Sequence, residues 1–230
     1  MEHPTIDILG VTISEPVTML TDIIVAIFCF YFYRRIVKTP STERGKKYFA
    51  QFFLWMSINT FLGGVMGHGF LPYFGPAGKY PAWILTIFTM FWLQLAVLDL
   101  LRARGYLKLE NILRWVSILM VPIFVSLTFY HQHFSYAIFH NIAVALMIIP
   151  ILIFCRINGK TEGTDTVLLS LLISSIIPYF QINRIGINRW FTYHDVCHVM
   201  MLLGLYVLYL GATKFYKHIE YRDNIYRRLP

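Results

Sequence analysis

Seven long apolar segments are the feature that most constrains the fold of this chain. A helix needs about 20 apolar residues to cross the hydrocarbon core of a bilayer, and seven segments have roughly this length. They cover roughly residues 17–36, 48–71, 82–102, 111–130, 134–155, 164–182 and 193–215. Lipid admits only helices and closed barrels, because every backbone polar group must be paired there. The segments therefore predict an all-α integral membrane protein, a single seven-helix bundle over residues 1–230.

The composition supports a membrane protein and argues against a nucleic-acid-binding one. Hydrophobic residues make up 57% of the chain and charged residues only 14%, whereas about a quarter of a soluble domain is charged. A net charge of +8 is compatible with nucleic-acid binding in a soluble protein. Here, however, the basic residues cluster in the gaps between apolar segments, as topology determinants do. We therefore expect no nucleic-acid partner.

The distribution of Lys and Arg predicts the orientation in the membrane. All but three of the 20 basic residues flank one side of the seven segments, and the exceptions are Lys79, Arg184 and Arg189. The positive-inside rule then places the N-terminus and a leader of residues 1–16 outside, and the C-terminus in the cytoplasm. The basic tail 216–230 is expected to contact anionic lipids. The chain is predicted to be a multi-pass protein of a plasma membrane or, in a prokaryote, of an inner membrane.

Three histidines are predicted to meet near the outer face. His194 and His198 open the last segment four residues apart, and on a helix such a pair lies on one face, one turn apart. A rise of about 1.5 Å per residue places His68 roughly 30 Å along the second segment, at the same outer boundary. Three imidazoles with a fourth position for water are typical of catalytic zinc sites. The alternative is a set of interfacial histidines bonded to water or backbone.

Other polar residues share this outer side. Asp22 and the pair His140-Asn141 lie about 9 Å below the outer edge, and ionisable groups inside a membrane helix indicate function. Asp22 is interpreted either as a catalytic acid or base or as a structural hydrogen-bonding group, and His140-Asn141 as a pair that either supports the metal ligands or binds substrate. Asp195 points about 100° away from His194 around the helix. It either orients a histidine or faces the helix dipole.

Seven segments, a histidine at the outer end of the second and HxxxH at the start of the seventh resemble the CREST superfamily of membrane hydrolases. That group includes the alkaline ceramidases and the progestin and adiponectin receptor proteins. The resemblance covers the whole chain by architecture, and it rests on His68, His194 and His198. It implies that these residues hold a zinc ion whose water attacks an amide or ester in a lipid.

The chain departs from the pattern of that superfamily at two places. The family has a serine four residues before its first histidine, where this chain has Gly64. The family also has an aspartate shortly after that histidine, but residues Gly69–Ala82 contain no carboxylate. If the protein is an enzyme of this kind, Asp22 or Asp195 must replace the missing carboxylate.

The leading hypothesis is a ceramidase-like, zinc-dependent hydrolase of a lipid amide or ester. Asp22 or Asp195 would accept a proton, and His140 or Asn141 would stabilise the oxyanion. The alternative is a non-enzymatic seven-helix receptor or sensor whose histidines bind a structural metal or titrate with pH. Haem binding through two histidines is a third possibility. A retinal protein is disfavoured because the only lysine in the seventh segment, Lys214, lies at its cytoplasmic end.

Overall fold

Helices make up nearly all of the protein. A computed structural model describes residues 4–39, 43–158 and 163–226, with side chains as far as Lys214 in the last helix. After a β-hairpin of strands β1 (Thr5–Ile8) and β2 (Val11–Ser14), the helices follow as α1 (Pro16–Lys38), α2 (Arg44–Leu62), a π-helix (Gly63–Gly69), α3 (Leu71–Phe74), a 3-10 turn (Gly75–Lys79), α4 (Tyr80–Ala103), α5 (Leu107–His131), α6 (Ser135–Ile157), α7 (Thr164–Asn183) and α8 (Tyr193–Tyr226).

The prediction of seven long apolar helices is confirmed over the described residues. Seven helical stretches there are long and apolar enough to cross a membrane. They are Pro16–Lys38, Arg44–Gly69, Leu71–Ala103, Leu107–His131, Ser135–Ile157, Thr164–Asn183 and Tyr193–Lys214. The chain therefore has the all-α architecture of a multi-pass membrane protein. The predicted lipid contact of the tail 216–230 lies outside the described side chains.

Residues 5–14, before the first helix, form a β-hairpin, which the sequence analysis did not predict. Residues within 1–16 were expected to form only a leader, but strands β1 and β2 pair antiparallel, with Thr5 opposite Ser14 and Ile8 opposite Val11. The turn is Leu9-Gly10, and both residues have positive φ, at 51° and 80°. Two left-handed residues are typical of the tight hairpin turn whose twist matches that of the strands. The hairpin stands at the N-terminal end of α1.

Helix α4 lies at the centre of the bundle. It packs against α2, α5 and α6, whereas α1 packs between α2 and α8, and α7 lies mainly along α8. Aromatic rings fill the contact between α1, α2 and α8, where the Phe32 ring stacks on Tyr209 at 4.7 Å and meets Phe53 edge-on at 5.5 Å. At the other end of α1, its first turns pack against the π-helix and the start of α8.

Helix α5 carries an apolar stripe that nothing in the bundle covers. The large side chains of the stripe recur every three or four residues, as one face of a helix requires, and each is more than half exposed: Ile112, Trp115, Leu119 and Ile123. A stripe of this kind is unfavourable in water and is the expected surface of a helix in lipid.

Candidate functional site

A π-helix carries His68 at the end of α2. Residues Gly63–Gly69 leave the α-helical register for one wider turn, and a new short helix begins at Leu71 with Pro72 in its first turn. Pro72 has no backbone N–H and favours a helix start over a continuation. Single π-turns of this kind are frequent at functional sites. Here the wider turn sets the direction of the His68 side chain.

The carboxylate of Glu15 anchors His68. Glu15 follows β2 directly, adopts left-handed backbone angles (φ 45°) and is only 2% exposed. Its N–H donates to the Pro4 carbonyl at 2.8 Å, and its Oε2 pairs with Nδ1 of His68. With Nδ1–H held by a carboxylate, Nε2 is the nitrogen of His68 that can bind a metal or a proton. Sequence analysis missed this role, because it placed Glu15 only in the leader.

Helix α8 begins with a reciprocal hydrogen-bonded cap that orders both histidines of the HxxxH pair. The Thr192 N–H and hydroxyl donate to Oδ2 of Asp195 at 2.5 and 2.9 Å, and the His194 N–H donates to the Thr192 hydroxyl at 3.3 Å. A Thr at the cap with an acidic residue three positions later satisfies backbone donors that a helix start leaves free. Asp195 thus serves the helix start, as one of its two interpretations expected.

Thr21 links His198 to the second oxygen of Asp195. Its hydroxyl lies 3.2 Å from Oδ1 of Asp195, 3.0 Å from the Thr18 carbonyl and 2.8 Å from Nδ1 of His198. The carbonyl and the carboxylate can only accept, and the hydroxyl has one proton to donate. In the tautomer of His198 that carries its proton on Nδ1, the ring donates to the Thr21 oxygen and Nε2 is a lone pair; in the other tautomer, Nδ1 accepts the hydroxyl proton. Thr21 thus lies between Asp195 and His198, as the interpretation of Asp195 as a residue that orients a histidine requires.

Asp22 faces Nε2 of His198. Its carboxylate is 5% exposed, and Oδ1 lies 3.3 Å from Nε2 of His198. Gly64 of the π-helix makes the space for it, since a Cβ at this position would lie 2.6 Å from the Cβ of Asp22. Gly64, which stands where the CREST superfamily has a serine, therefore leaves the space that the Asp22 side chain occupies. A carboxylate and an imidazole in such contact can share or transfer a proton.

The distances between the imidazole rings can be compared with those expected around a single metal ion. Two imidazoles on one tetrahedral zinc, with Zn–N about 2.0–2.1 Å, have ring centres about 5 Å apart. The ring centre of His68 lies 5.2 Å from that of His194 and 6.4 Å from that of His198. Across the described residues, no three His, Cys, Asp or Glu side chains stand in the arrangement of a metal site. Imidazole is a donor type that suits zinc, but only the spacing of His68 and His194 matches two ligands of one ion, since the ring of His198 lies farther away. Zinc binding stays a prediction.

The remaining two predicted site residues belong to another part of the bundle. His140 is fully buried in α6, and its ring meets Phe124 of α5 edge-on at 5.4 Å. Among the described residues, neither of its ring nitrogens has a hydrogen-bond partner of good geometry, nor does the side-chain oxygen of Asn141. None of the described hydrogen bonds, ion pairs or ring contacts joins His140 or Asn141 to the histidine cluster. Their role in stabilising an oxyanion therefore stays a prediction.

Fold and site together define a class: a seven-helix, all-α chain with buried acidic and imidazole side chains at one end of its bundle. Residues 17–217 match a family described as "Family of unknown function (DUF6962)", so the chain belongs to that family. The match includes Asp22 and all three clustered histidines, and it begins just after Glu15. No curated protein and no solved structure matches the chain. The resemblance to the CREST superfamily stays a prediction.

Proposed function

We propose that this protein is a zinc-dependent hydrolase that cleaves an amide or ester bond of a membrane lipid, as ceramidases do. The observation that carries the proposal is the contact between Asp22 and His198 beside His68. The buried carboxylate of Asp22 places Oδ1 3.3 Å from Nε2 of His198. Burying ionisable groups in a membrane bundle is costly and indicates function. We further propose that this end of the bundle faces the outside, as the distribution of basic residues predicts.

His68, His194 and His198 would hold the metal through their ring nitrogens. Bound zinc supplies the Lewis acidity that polarises a carbonyl and acidifies a water molecule. Glu15 fixes the ring of His68 through Nδ1, and Thr21 fixes that of His198 in the same way. Ligand histidines held by such outer hydrogen bonds keep their orientation and gain basicity. The chain therefore supplies two imidazoles that are held through Nδ1, so that Nε2 of each is the nitrogen available to a metal.

Asp22 is the residue that would move the proton. Of the two carboxylates that could replace the aspartate of the CREST pattern, Asp195 already accepts bonds from Thr192 and Thr21. Asp22 instead presents Oδ1 to Nε2 of His198. A carboxylate in this place can take a proton from an attacking water and return it to the leaving amine or alcohol. The apolar helices around it exclude bulk water, which strengthens each of these electrostatic contacts.

Two measurements on the purified protein test the proposal. Elemental analysis is expected to find about one zinc ion per chain in the wild type, and His194→Ala and His198→Ala are expected to lose it. His133→Ala, which removes an exposed histidine at the same end of the bundle, is the matched control and is expected to keep it. The wild type is also expected to hydrolyse a ceramide, an acyl amide or a lysolipid. The proposal would be contradicted if the pure protein contained no metal and its His194→Ala and His198→Ala variants were as stable as the wild type.

A specific observation favours one other function, a receptor or sensor with a structural metal. Gly64 has no room for a serine side chain as long as Asp22 keeps its place, so the chain cannot copy the hydroxyl of the superfamily at this position. Without that hydroxyl, the histidines and Asp22 could serve structure alone. Stable zinc binding without turnover of any of the three lipid classes would favour this function over hydrolysis.

A further inference from the structure

The N-terminal β-hairpin has one apolar and one polar face. In an antiparallel pair, residues directly opposite each other point to the same side, and neighbours along a strand alternate. The observed register, with Ile6 opposite Ile13, therefore sorts the side chains completely. One face carries Ile6, Ile8, Val11 and Ile13, and the other carries Thr5, Asp7, Thr12 and Ser14. On the polar face, the Thr12 hydroxyl donates to Asp7 at 2.6 Å.

The turn of the hairpin holds a leucine in an unfavourable backbone conformation. Leu9 is fully exposed and has a φ of 51°, a conformation that costs a non-glycine residue roughly 1 kcal/mol or more. Asn, Asp or Gly are the usual residues at this position of a two-residue turn. Because Leu9 is fully exposed, no packing inside the protein offsets this cost. Ile8 and Val11 beside it are also exposed.

The hairpin continues into surfaces that have the character expected of lipid contact. Its second strand leads through Glu15 directly into α1, whose Leu20, Ile24 and Ile27 are exposed. On its other side, the N–H of Thr12 donates to the hydroxyl of Tyr73 in α3 at 2.9 Å. Tyr73 is itself exposed, and aromatic rings of this kind are enriched at membrane–water boundaries.

We propose that the apolar face of the hairpin and the Leu9 tip lie in the boundary between headgroups and acyl chains of the bilayer. The occupant of this face is lipid rather than a second copy of the chain. A stable protein interface buries about 800 Å² on each side, and a few side chains of one hairpin are too small for that. Interfacial insertion needs only an amphipathic element with a modest apolar area. The apolar face ends at Ile13, two positions in the chain before Glu15, which pairs with His68.

A fluorescent label at the tip tests this contact. The Leu9→Cys variant is labelled at residue 9 with an environment-sensitive fluorophore and placed in phosphatidylcholine nanodiscs, one copy per disc. The lipid carries a nitroxide quencher near the carbonyl end of its acyl chain. Cys29, Cys155 and Cys197 are buried and are not expected to react. The label at residue 9 is expected to lose about half of its emission or more. Asp7→Cys, on the polar face two residues away, is the matched control and is expected to lose little.

Two outcomes would overturn the proposal. One is equal and weak quenching at residues 7 and 9. The other concerns discs that hold two chains, one of which carries the nitroxide. If the residue-9 label is quenched only by the nitroxide on the second copy, the face is a contact between copies. Since Leu9 is fully exposed, its substitution leaves the bundle intact, and an unchanged thermal unfolding midpoint verifies this. The test needs neither metal nor turnover, so it stands independently of the proposed hydrolase activity.

Discussion

A Cβ atom added at Gly64 would lie 2.6 Å from the Cβ of Asp22. The two residues belong to different helices, 42 positions apart in the chain, and each determines what the other can be. As long as position 64 has no side chain, α1 can approach the π-helix closely enough for Asp22 to reach His198. Small residues commonly allow such close approach of helices in membranes.

Serine at position 64 is therefore expected to destabilise the protein and displace Asp22. Overpacking a tightly packed site typically costs about 1–3 kcal/mol, so Gly64→Ser and Gly64→Ala should both lower the thermal unfolding midpoint in detergent. Gly67→Ala is the matched control in the same π-helix, because a Cβ there meets Lys79 at an ordinary contact distance of 3.4 Å. A Gly64→Ser protein as stable as the Gly67→Ala variant would contradict the packing argument.

The helices were predictable because crossing length is a local property of the sequence. Each segment of about 20 apolar residues can be recognised without knowing its neighbours. Depth was predictable in the same way, since helix rise converts position into distance. Asp22 and His140, however, have comparable depths, and depth does not say which helices are adjacent. Only packing shows that Asp22 lies beside His198 while His140 lies beside Phe124.

The role of Glu15 escaped prediction for a different reason. Its position depends on a hairpin of two four-residue strands, and isolated hairpins this short are marginally stable at best. The alternation of apolar residues at Ile6 and Ile8, and again at Val11 and Ile13, was the available signal. An acidic residue directly before Pro16 and a long helix was the second.

Removing the charge of Glu15 is expected to weaken zinc binding while keeping the fold. Outer hydrogen-bond partners of a ligand histidine are typically worth about 10–100-fold in metal affinity, so Glu15→Gln should show a loss in this range when zinc is titrated against a competing chelator. Asp7→Asn removes an exposed carboxylate of the same hairpin and should bind zinc like the wild type. Equal affinity of both variants would mean that Glu15 does not orient His68 for metal.

Replacing Thr21 separates its hydroxyl from its shape. Thr21→Val keeps the branched side chain and loses the oxygen that joins His198 to Asp195. Stability is expected to fall by about 1–3 kcal/mol, because buried polar groups lose their hydrogen-bond partner, and zinc affinity is expected to fall by about 10–100-fold. Thr21→Ser restores the hydroxyl and should recover most of both quantities. If serine were no better than valine, the bridge through Thr21 would be irrelevant.

His140, unlike His198, is buried without hydrogen-bond partners of good geometry among the described residues, so its burial is expected to lower the stability of the fold. Neither of its ring nitrogens has a hydrogen-bond partner of good geometry in the described part of the chain, and an apolar residue avoids the penalty of burying them. His140→Leu is therefore expected to unfold at the same temperature as the wild type or higher, whereas His198→Leu, which deprives Thr21 of its partner, should unfold lower. If His140 takes part in hydrolysis as predicted, turnover will fall in the same His140→Leu protein. A clear loss of stability would show that His140 has a structural role.

Asp22→Asn tests the proton acceptor of the proposed hydrolase. The amide keeps the size of the side chain beside Gly64 and removes its basicity, so turnover is expected to fall by about 10²–10⁴-fold, the usual contribution of a positioned acid or base. Zinc content should stay at the wild-type level, because three histidines remain. Asp195→Asn is the matched variant: it weakens the cap of α8 at a cost of about 0.5–2 kcal/mol but leaves Asp22 in place, so it should lower stability more than turnover. Loss of zinc in Asp22→Asn would instead make Asp22 a ligand, and it would remove the proton acceptor from the mechanism.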